Sequence, residues 1–417
     1  MRFHAGSRGL ILTAAFALMS CERAPTPPDL GGINLSVISG NDQIGTPGAE
    51  LPDPLVVKVT RKNGRPLKGQ ILNFRVVSGG GSVFGGTEMT DARGIAQERW
   101  TLGTESGLQR VEVRAVDNVS GEPLVFATFT ATTQCDCWSS KAPMPTERAA
   151  LGAAELNGKL YAVGGFRYTS TSVVIESANE EYDPLTNQWT RRRAMPTPRI
   201  GVGVAAVGGL LYVIGGGTDG QGDVGTVEVY DPATDSWSAR TPMPTTRAHV
   251  SVAVVDGIIY VVGGWKLNVG VVATMEAYNP ATNSWTTKAS LPTVHATEVA
   301  VVNGIIYAVG GELYGGVATP VVEAYNASTD RWTTKASMPS GRISPGVGAI
   351  GGMIYVAGGM DKDYAFPAAT LRYDPATNSW ATKAPIPHPR FNVGYAVLNG
   401  VLYVVGGYST TVDAYQP

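Results

Sequence analysis

Six basic side chains recur at near-constant intervals along the second part of the sequence. They are Arg148, Arg199, Arg247, His295, Arg342 and Arg390. Arginine presents a planar fork of N–H donors that binds carboxylates in a bidentate manner. Six such groups around one opening would focus a positive potential there, although the net charge of the chain is only -2. We therefore expect them to form a ligand-binding ring. The alternative is a structural role for each basic residue within its own repeat.

One carboxylate interrupts the pattern of the strand that follows each basic residue. Each strand ends at a turn that contains a glycine, namely Gly158, Gly209, Gly257, Gly304, Gly352 or Gly400. Six residues before these glycines stand Gly152, Gly203, Ser251, Glu298, Gly346 and Gly394, respectively. A carboxylate in this row of small residues is costly without a partner, so we expect Arg247, another ring arginine or His249 to pair with Glu298. Glu298 and His249 are the candidate catalytic residues, for proton transfer, if the protein is an enzyme. Repeat 4 is one residue shorter between His295 and its glycines, which leaves its alignment open.

Cysteine and histidine are too sparse for a metal centre or a disulfide-rich scaffold. The chain contains three cysteines, Cys21, Cys135 and Cys137, and four histidines. Two cysteines separated by one residue do not make a zinc site, and their redox state is left open. No nucleophile motif or glycine-rich phosphate loop is present either. We expect no metal and no cofactor.

Composition favours a turn-rich β protein. The 417 residues include 52 glycines and only 16% charged residues, with 43% hydrophobic residues, enough for two or three domains. The near-neutral charge gives no reason to expect nucleic acid as a partner.

Internal repeats position these candidate residues. A Gly-Gly pair follows an apolar run six times, beginning at Gly164, Gly215, Gly263, Gly310, Gly358 and Gly406. A tyrosine follows each pair, and in the first five repeats a tryptophan stands seven residues after the tyrosine, as in Tyr230 and Trp237. Turns such as Asn157-Gly158 indicate tight hairpins between the first two strands of each repeat, called a and b here. Strand c carries the tyrosine, and strand d begins near the tryptophan.

These residues, in the form LYVIGG followed by VEVYDPATDSW, resemble kelch repeats. The resemblance implies an all-β fold with one four-stranded propeller blade per repeat. The last repeat lacks a tryptophan, whereas Trp138 stands alone before the first repeat. We therefore expect a six-bladed β-propeller over residues 138–417, in which the strand around Trp138 completes the last blade and closes the ring.

Length variation locates the functional face. The distance from the second glycine to the tyrosine is 17, 14, 14, 14, 14 and 8 residues, so the b–c loops vary while the other spacings are constant. Loops that diverge on a repeated scaffold are where binding residues concentrate. The b–c loops lie at the same end as the start of strand a, and this end is called the b–c face.

The segment before the repeats predicts a separate β module. Val111, Val113 and Ala115 alternate with charged residues, as in a half-buried antiparallel strand. The stretches FRVVSGGGSV and TDARGIAQERWTLGT resemble bacterial Ig-like (Big-1) modules of invasin- and intimin-type proteins. The resemblance implies an Ig-like β-sandwich over residues 33–133, which would act as a spacer.

The first residues resemble a lipoprotein signal peptide. Arg2 and Arg8 precede an apolar run that ends in Leu18-Met19-Ser20-Cys21, similar to a lipobox. We expect a signal peptide over residues 1–21, lipidation of Cys21, and a Pro-rich tether over residues 22–32. An ordinary signal peptide is the alternative. Glu22 follows Cys21, where an inner-membrane retention signal would usually have Asp, so the resemblance implies a bacterial outer-membrane lipoprotein, facing the periplasm or the cell surface.

The resemblance to kelch repeats suggests three candidate functions, each known from a different group of kelch proteins. Galactose oxidase-like enzymes need a tyrosine and two histidines for copper, which three dispersed propeller histidines do not supply. Periplasmic N-acetylneuraminate epimerases present arginines and a carboxylate to an anionic sugar, and this is the alternative. Kelch adaptor proteins bind acidic peptides on the arginine-bearing face. We expect a monomeric binder of a glycan or protein ligand rather than an enzyme, attached to the membrane through its lipid alone.

Overall fold

The computed structural model describes residues 32–104, 107–133, 135–220 and 222–417. The chain divides into two compact units between residues 134 and 135. The expected signal peptide, Cys21 and nearly all of the tether lie outside the described residues. Within the described part, we find no helix with the length and apolar character that crossing a membrane requires.

The first unit consists of short strands that enclose one core. Its strands are β1 (Ile33–Ser39), β2 (Gln43–Gly45), β3 (Leu55–Arg61), β4 (Ile71–Ser78), β5 (Gly81–Val83), β6 (Thr87–Met89), β7 (Ile95–Glu98), β8 (Trp100–Leu102), β9 (Gly107–Val116) and β10 (Pro123–Thr133). One sheet has the order β1-β3-β7 and the other β2-β10-β9-β4-β6, with β5 and β8 as a separate pair.

Alternation along the strands determines which side chains fill this core. Val111, Val113 and Ala115 of β9 are fully buried, as the alternation predicts, and they pack with Val57 of one sheet and Phe129 of the other. Two sheets that share a core in this way form a β-sandwich. One pair departs from the antiparallel expectation, because the short edge strand β2 runs parallel to β10.

The second unit begins with the closing strand and continues through three blades. Its first strands are β11 (Cys137–Ser140), β12 (Gly152–Leu156), β13 (Lys159–Val163), β14 (Phe166–Tyr168), β15 (Val173–Ile175), β16 (Asn179–Asp183), β17 (Gln188–Arg192), β18 (Gly203–Val207), β19 (Leu210–Ile214), β20 (Gly217–Thr218), β21 (Gly222–Asp223), β22 (Val227–Asp231), β23 (Ser236–Arg240), β24 (Ser251–Val255), β25 (Ile258–Val262), β26 (Trp265–Lys266), β27 (Gly270–Val271), β28 (Met275–Asn279) and β29 (Ser284–Lys288).

Three further blades complete the unit. Their strands are β30 (Ala296–Val302), β31 (Ile305–Leu313), β32 (Val317–Ala318), β33 (Val322–Asn326), β34 (Arg331–Thr334), β35 (Gly346–Ile350), β36 (Met353–Ala357), β37 (Thr370–Asp374), β38 (Ser379–Lys383), β39 (Val393–Leu398), β40 (Val401–Gly406) and β41 (Val412–Gln416). In blades 1–5 the strands a to d lie in the sheet in their chain order and pair antiparallel, and in blades 1–4 short strands of the b–c loop stand between strands b and c along the chain. The a–b turns adopt positive φ at both residues, as at Asn157 and Gly158 with 54° and 74°, which fits the predicted primed turns.

The six blades form a closed ring around one axis. Each strand a (β12, β18, β24, β30, β35 and β39) contacts strand a of the next blade, and β39 contacts β12. β11 pairs with β41 so that Trp138 lies opposite Tyr415, which confirms the predicted closure. The sheet β11-β41-β40-β39 therefore joins the two ends of the propeller, and no blade edge is left open between first and last.

Asp136, directly before strand β11, makes a contact that recurs in every blade. In blade 2, Asp235 accepts hydrogen bonds from the Tyr230 hydroxyl (2.7 Å) and the Arg193 backbone amide (2.9 Å). Asp136, two residues before Trp138, makes the corresponding contacts with Tyr415 and the amide of Ala384. Cys135 and Cys137, on either side of Asp136, are joined by a disulfide.

Candidate functional site

The basic ring residues lie inside the blades and not on the channel wall. Arg148, Arg199 and Arg247 have no exposed surface, and Arg342 and Arg390 are 1% and 7% exposed. Each donates to the carbonyl oxygen of the first glycine of its own Gly-Gly pair, as Arg199 Nη1 does to Gly215 at 2.6 Å. This contact ties the start of strand a to the end of strand b.

Four of the five arginines also pair with a buried carboxylate of strand c. The pairs are Arg148–Glu180 (2.6 Å), Arg199–Glu228 (2.8 Å), Arg247–Glu276 (2.5 Å) and Arg390–Asp413 (2.5 Å). Burial lowers the pKa of the Arg199 guanidinium and Glu228 opposes this, so the pair compensates much of the buried charge. The expectation of a cationic ring that binds the ligand is thus corrected, because these guanidinium groups are already occupied and shielded.

Two blades depart from this pairing. In blade 4, His295 is also fully buried and keeps the ring position, since its Nδ1 lies 2.8 Å from the Gly310 carbonyl oxygen and its Nε2 3.5 Å from Glu323. In blade 5 the carboxylate position is taken by Leu371, so Arg342 bonds only carbonyl oxygens, of Gly358 and Pro367. Burial lowers the pKa of Arg342 to about 10.

Strand register settles the alignment of repeat 4. Glu298 lies opposite Val309, the residue before the first glycine, as Gly152 lies opposite Val163 in blade 1. The missing residue is absorbed between Ala296 and Glu298, where the register shifts. Glu298 therefore occupies the inner row, among the small residues, as the sequence predicted.

The partners of Glu298 differ from those expected. Its Oε2 accepts a hydrogen bond from Ser251 Oγ at 2.8 Å and another from the Tyr395 hydroxyl at 2.7 Å. Neither Arg247 nor His249 is bonded to it. Burial raises the pKa of Glu298 to about 7, because the two hydrogen bonds only partly offset the loss of solvent. Burial also raises the pKa of Tyr395, and the adjacent Glu298 adds to this rise.

The inner strands enclose a channel of about 850 Å³ whose lining extends from the b–c loops to Glu155 near an a–b turn. Four carboxylates line it, Glu155, Asp223, Glu298 and Glu312, together with His249, and none of its lining residues in the described chain is a lysine or arginine. Burial lowers the pKa of His249, with Asp223 opposing, and burial raises the pKa of Glu312. Asp223 and Glu312 belong to the b–c loops, so the channel surface at this face has the opposite charge to the one expected.

A row of contacting aromatic rings crosses the b–c face beside the channel. It contains Phe166, Tyr168, Phe366, Phe391 and Tyr408, from blades 1, 5 and 6, and is called the aromatic row. Neighbouring ring centroids lie 5.4–6.1 Å apart, with Phe366 stacked on Phe391 and Tyr168 stacked on Tyr408. Tyr168 is 62% exposed and Phe366 46% exposed, while Phe391 also lines the channel. These rings lie outside the repeated Tyr–Trp pairs, and Tyr168, Phe366 and Tyr408 are exposed enough to contact a ligand.

Two family models match the repeats. Residues 152–345 match the KLHDC2/KLHL20/DRC7 Kelch-repeats domain, and residues 341–387 match the Kelch motif. The second unit is a kelch β-propeller. It is similar to the influenza virus NS1A-binding protein homolog of Mus musculus (41% identical over 81 residues, 19% of this chain and 12% of that protein). It is also similar to Kelch-like protein 34 of Homo sapiens (33% identical over 154 residues, 33% of this chain and 22% of that protein). The chain thus spans under a quarter of the length of these relatives.

A solved structure supports the fold of the kelch propeller. The structure described as "Structure of YjhT" superposes with a TM-score of 0.56 and 20% sequence identity, over 66% of this chain and 95% of that one. At this identity the likeness concerns the fold alone.

Several site residues of the kelch propeller were missed from the sequence. Tyr395 stands where four of the other blades have Val in the same register, a departure that is visible in the repeats. The buried carboxylates of strand c also had a signal, since five of six repeats place Glu or Asp two residues before the tyrosine. The described residues contain no group of three or more His, Cys, Asp or Glu side chains that could hold a metal ion.

Proposed function

We propose that the kelch propeller is a glycan-binding module and that the ligand lies on the aromatic row with its end at the channel. The observation that carries this proposal is the aromatic row itself, five contacting rings that belong to no repeat motif and lie on the face of variable loops. Aromatic rings present flat apolar surfaces with a polar tip, and the C–H faces of sugar rings stack on such surfaces.

The polar groups beside the row also suit a glycan. Ionised carboxylates only accept hydrogen bonds. Asp223 accepts one from the Leu267 backbone amide and Glu312 accepts one from Trp265, and each carboxylate has further lone pairs for donors of a ligand. Sugar hydroxyl groups supply several donors within a short length. The site is concave, with a few polar groups among apolar ones, which is the usual composition of a small-ligand pocket.

Replacement of two rings tests the proposal. We expect Tyr168→Ala and Tyr408→Ala each to weaken glycan binding by about tenfold, since an aromatic contact is worth about 1 kcal/mol or more. Binding would be screened on a glycan array and quantified by calorimetry. Phe84→Ala is the matched control, because Phe84 is an aromatic residue of the first unit that is 89% exposed. Absence of glycan binding by the unaltered protein, or unchanged affinity in both variants, would refute the proposal.

A sugar epimerase remains a second candidate because of Glu298. A carboxyl group whose pKa is about 7 suits proton transfer near neutral pH. The ring arginines no longer support an anionic sugar as the substrate, since they are buried and bonded inside the blades. If the protein is an epimerase, Glu298→Gln abolishes turnover of the bound sugar while binding persists. If it only binds, no turnover is seen in either protein.

We also propose the cellular setting that the first residues suggest. Lipidation of Cys21 would attach the protein to the bacterial outer membrane, and an Ig-like first unit would hold the propeller away from it. Loss of membrane association after Cys21→Ser, in fractionated cells, is the expected result.

A further inference from the structure

We infer that the ligand of the propeller carries a protonated amine, as an amino sugar does, and that this amine enters the channel; the inference rests on the proposed glycan-binding function. Among the described residues, the channel lining combines carboxylates with aromatic side chains and contains no lysine or arginine.

The charge of the channel is not balanced by the protein. Four of the five ring arginines are paired with strand c carboxylates inside the blades, so their charges are already neutralised. The fifth, Arg342, is buried, bonds carbonyl oxygens and does not line the channel. Two lysines, Lys266 and Lys362, occur in the b–c loops. Lys266 is not among the channel-lining residues, and Lys362 is paired with Asp363 at 2.7 Å. A cation supplied by a ligand would therefore meet carboxylates that have no other counter-ion in the channel.

Two carboxylates lie at successive depths in blade 4. Glu312 lies opposite Ala296 near the mouth, and Glu298 lies two residues further along the strand, about 6.6 Å deeper. Both hydrogen bonds that Glu298 accepts from described residues go to Oε2, so Oε1 is available for an ammonium donor. An amine bonded to a carboxylate forms a charge-assisted hydrogen bond, which is stronger than a neutral one.

Aromatic rings of the channel wall favour a cation as well. Trp265, Tyr364 and Phe391 line the same cavity as the carboxylates. A cation over such a ring is attracted by the negative charge of the ring face, most strongly over Trp. Burial also raises the pKa of both Glu298 and Glu312, as expected for carboxyl groups without a nearby cation. An ammonium group would relieve this unfavourable environment.

A matched pair of oligosaccharides tests the inference. A chitosan hexamer carries free amines, whereas the corresponding chitin hexamer carries the same backbone with each amine acetylated and neutral. We expect the chitosan hexamer to bind at least about tenfold more tightly by calorimetry at about pH 6.5, where a bound protonated amine favours the ionised form of Glu298, whose pKa without ligand is about 7. Glu312→Gln and Glu298→Gln should each lower the affinity for the chitosan hexamer more than the affinity for the chitin hexamer, and so remove most of this preference. Glu88→Gln, on an exposed strand of the first unit, controls for the loss of one negative charge.

The outcomes separate the inference from the proposed function. Equal affinity for the two hexamers overturns the amine inference while glycan binding stands. A chitosan preference that survives both channel variants places the amine outside the channel and also overturns it. Binding of neither hexamer overturns the amine inference, and the glycan array with the aromatic-row variants then decides the proposed function separately.

Discussion

Replacement of Glu298 by glutamine should change the pH dependence of stability in a defined direction. In the folded protein, burial raises the pKa of Glu298 from 4.5 to about 7. Between these two pH values the folded state keeps a proton that the unfolded state has lost. The contribution of Glu298 to the free energy of unfolding therefore falls as the pH rises through this range. Above about pH 7 the full cost of burying the ionised carboxylate is present. Glutamine has the same shape and no charge to desolvate.

The size of the effect follows from the same two values. At 1.36 kcal/mol for each pKa unit, the difference between 4.5 and about 7 sets an upper bound of about 3 kcal/mol. The channel is open to water, so screening reduces this to about 1–2 kcal/mol. We therefore expect Glu298→Gln to be more stable than the unaltered protein by about 1–2 kcal/mol at about pH 8, and equally stable at about pH 4.5.

Denaturant unfolding followed by tryptophan emission measures this difference, because seven of the eight tryptophans belong to the propeller. Glu88→Gln, in the first unit, controls for the general effect of a lost charge. A stability difference between Glu298→Gln and the unaltered protein that is the same at both pH values would refute the reasoning. So would a difference that favours glutamic acid at the higher pH.

Two further predictions concern how the blades are held together. Arg199→Met should lower the free energy of unfolding by about 3–5 kcal/mol, because Glu228 is left buried and unpaired. Arg342→Met should lower it markedly less, since the carboxylate position of blade 5 holds a leucine. Equal losses for the two variants in thermal melts would contradict this prediction. Asp136→Ala should lower the free energy of unfolding by about 1–3 kcal/mol through the loss of its bonds with Tyr415 and its neighbours. Asp136→Asn should keep most of the stability that Asp136 contributes, because asparagine accepts the tyrosine hydrogen bond in blades 1, 3 and 5. A similar loss of stability in both variants would show that the acceptor oxygen is not what matters.

The repeat pattern was sufficient for the fold of the propeller. Blade number, the a–b turns, closure through Trp138 and the inner position of Glu298 all depend on local spacing that recurs along the chain. The role of the arginines could not be decided in the same way, because spacing places Arg199 at the start of a strand without showing whether its side chain turns into the blade. The hydrogen bond between Tyr395 and Glu298 joins residues 97 positions apart across the channel. The aromatic row likewise combines loops of three blades, and loop conformation is not encoded by the repeat.

Closure by β11 also orders the assembly of the propeller during synthesis. Blades 1–5 each come from one continuous segment, so each has all its strands soon after that segment leaves the ribosome. The sixth blade needs residues 137–140 together with residues 393–416, the first and last parts of the unit. β11 must therefore wait, without its neighbour, until nearly the whole chain has been made. A chain that ends before Val412 would contain five complete blades and a first strand with nothing to pair with.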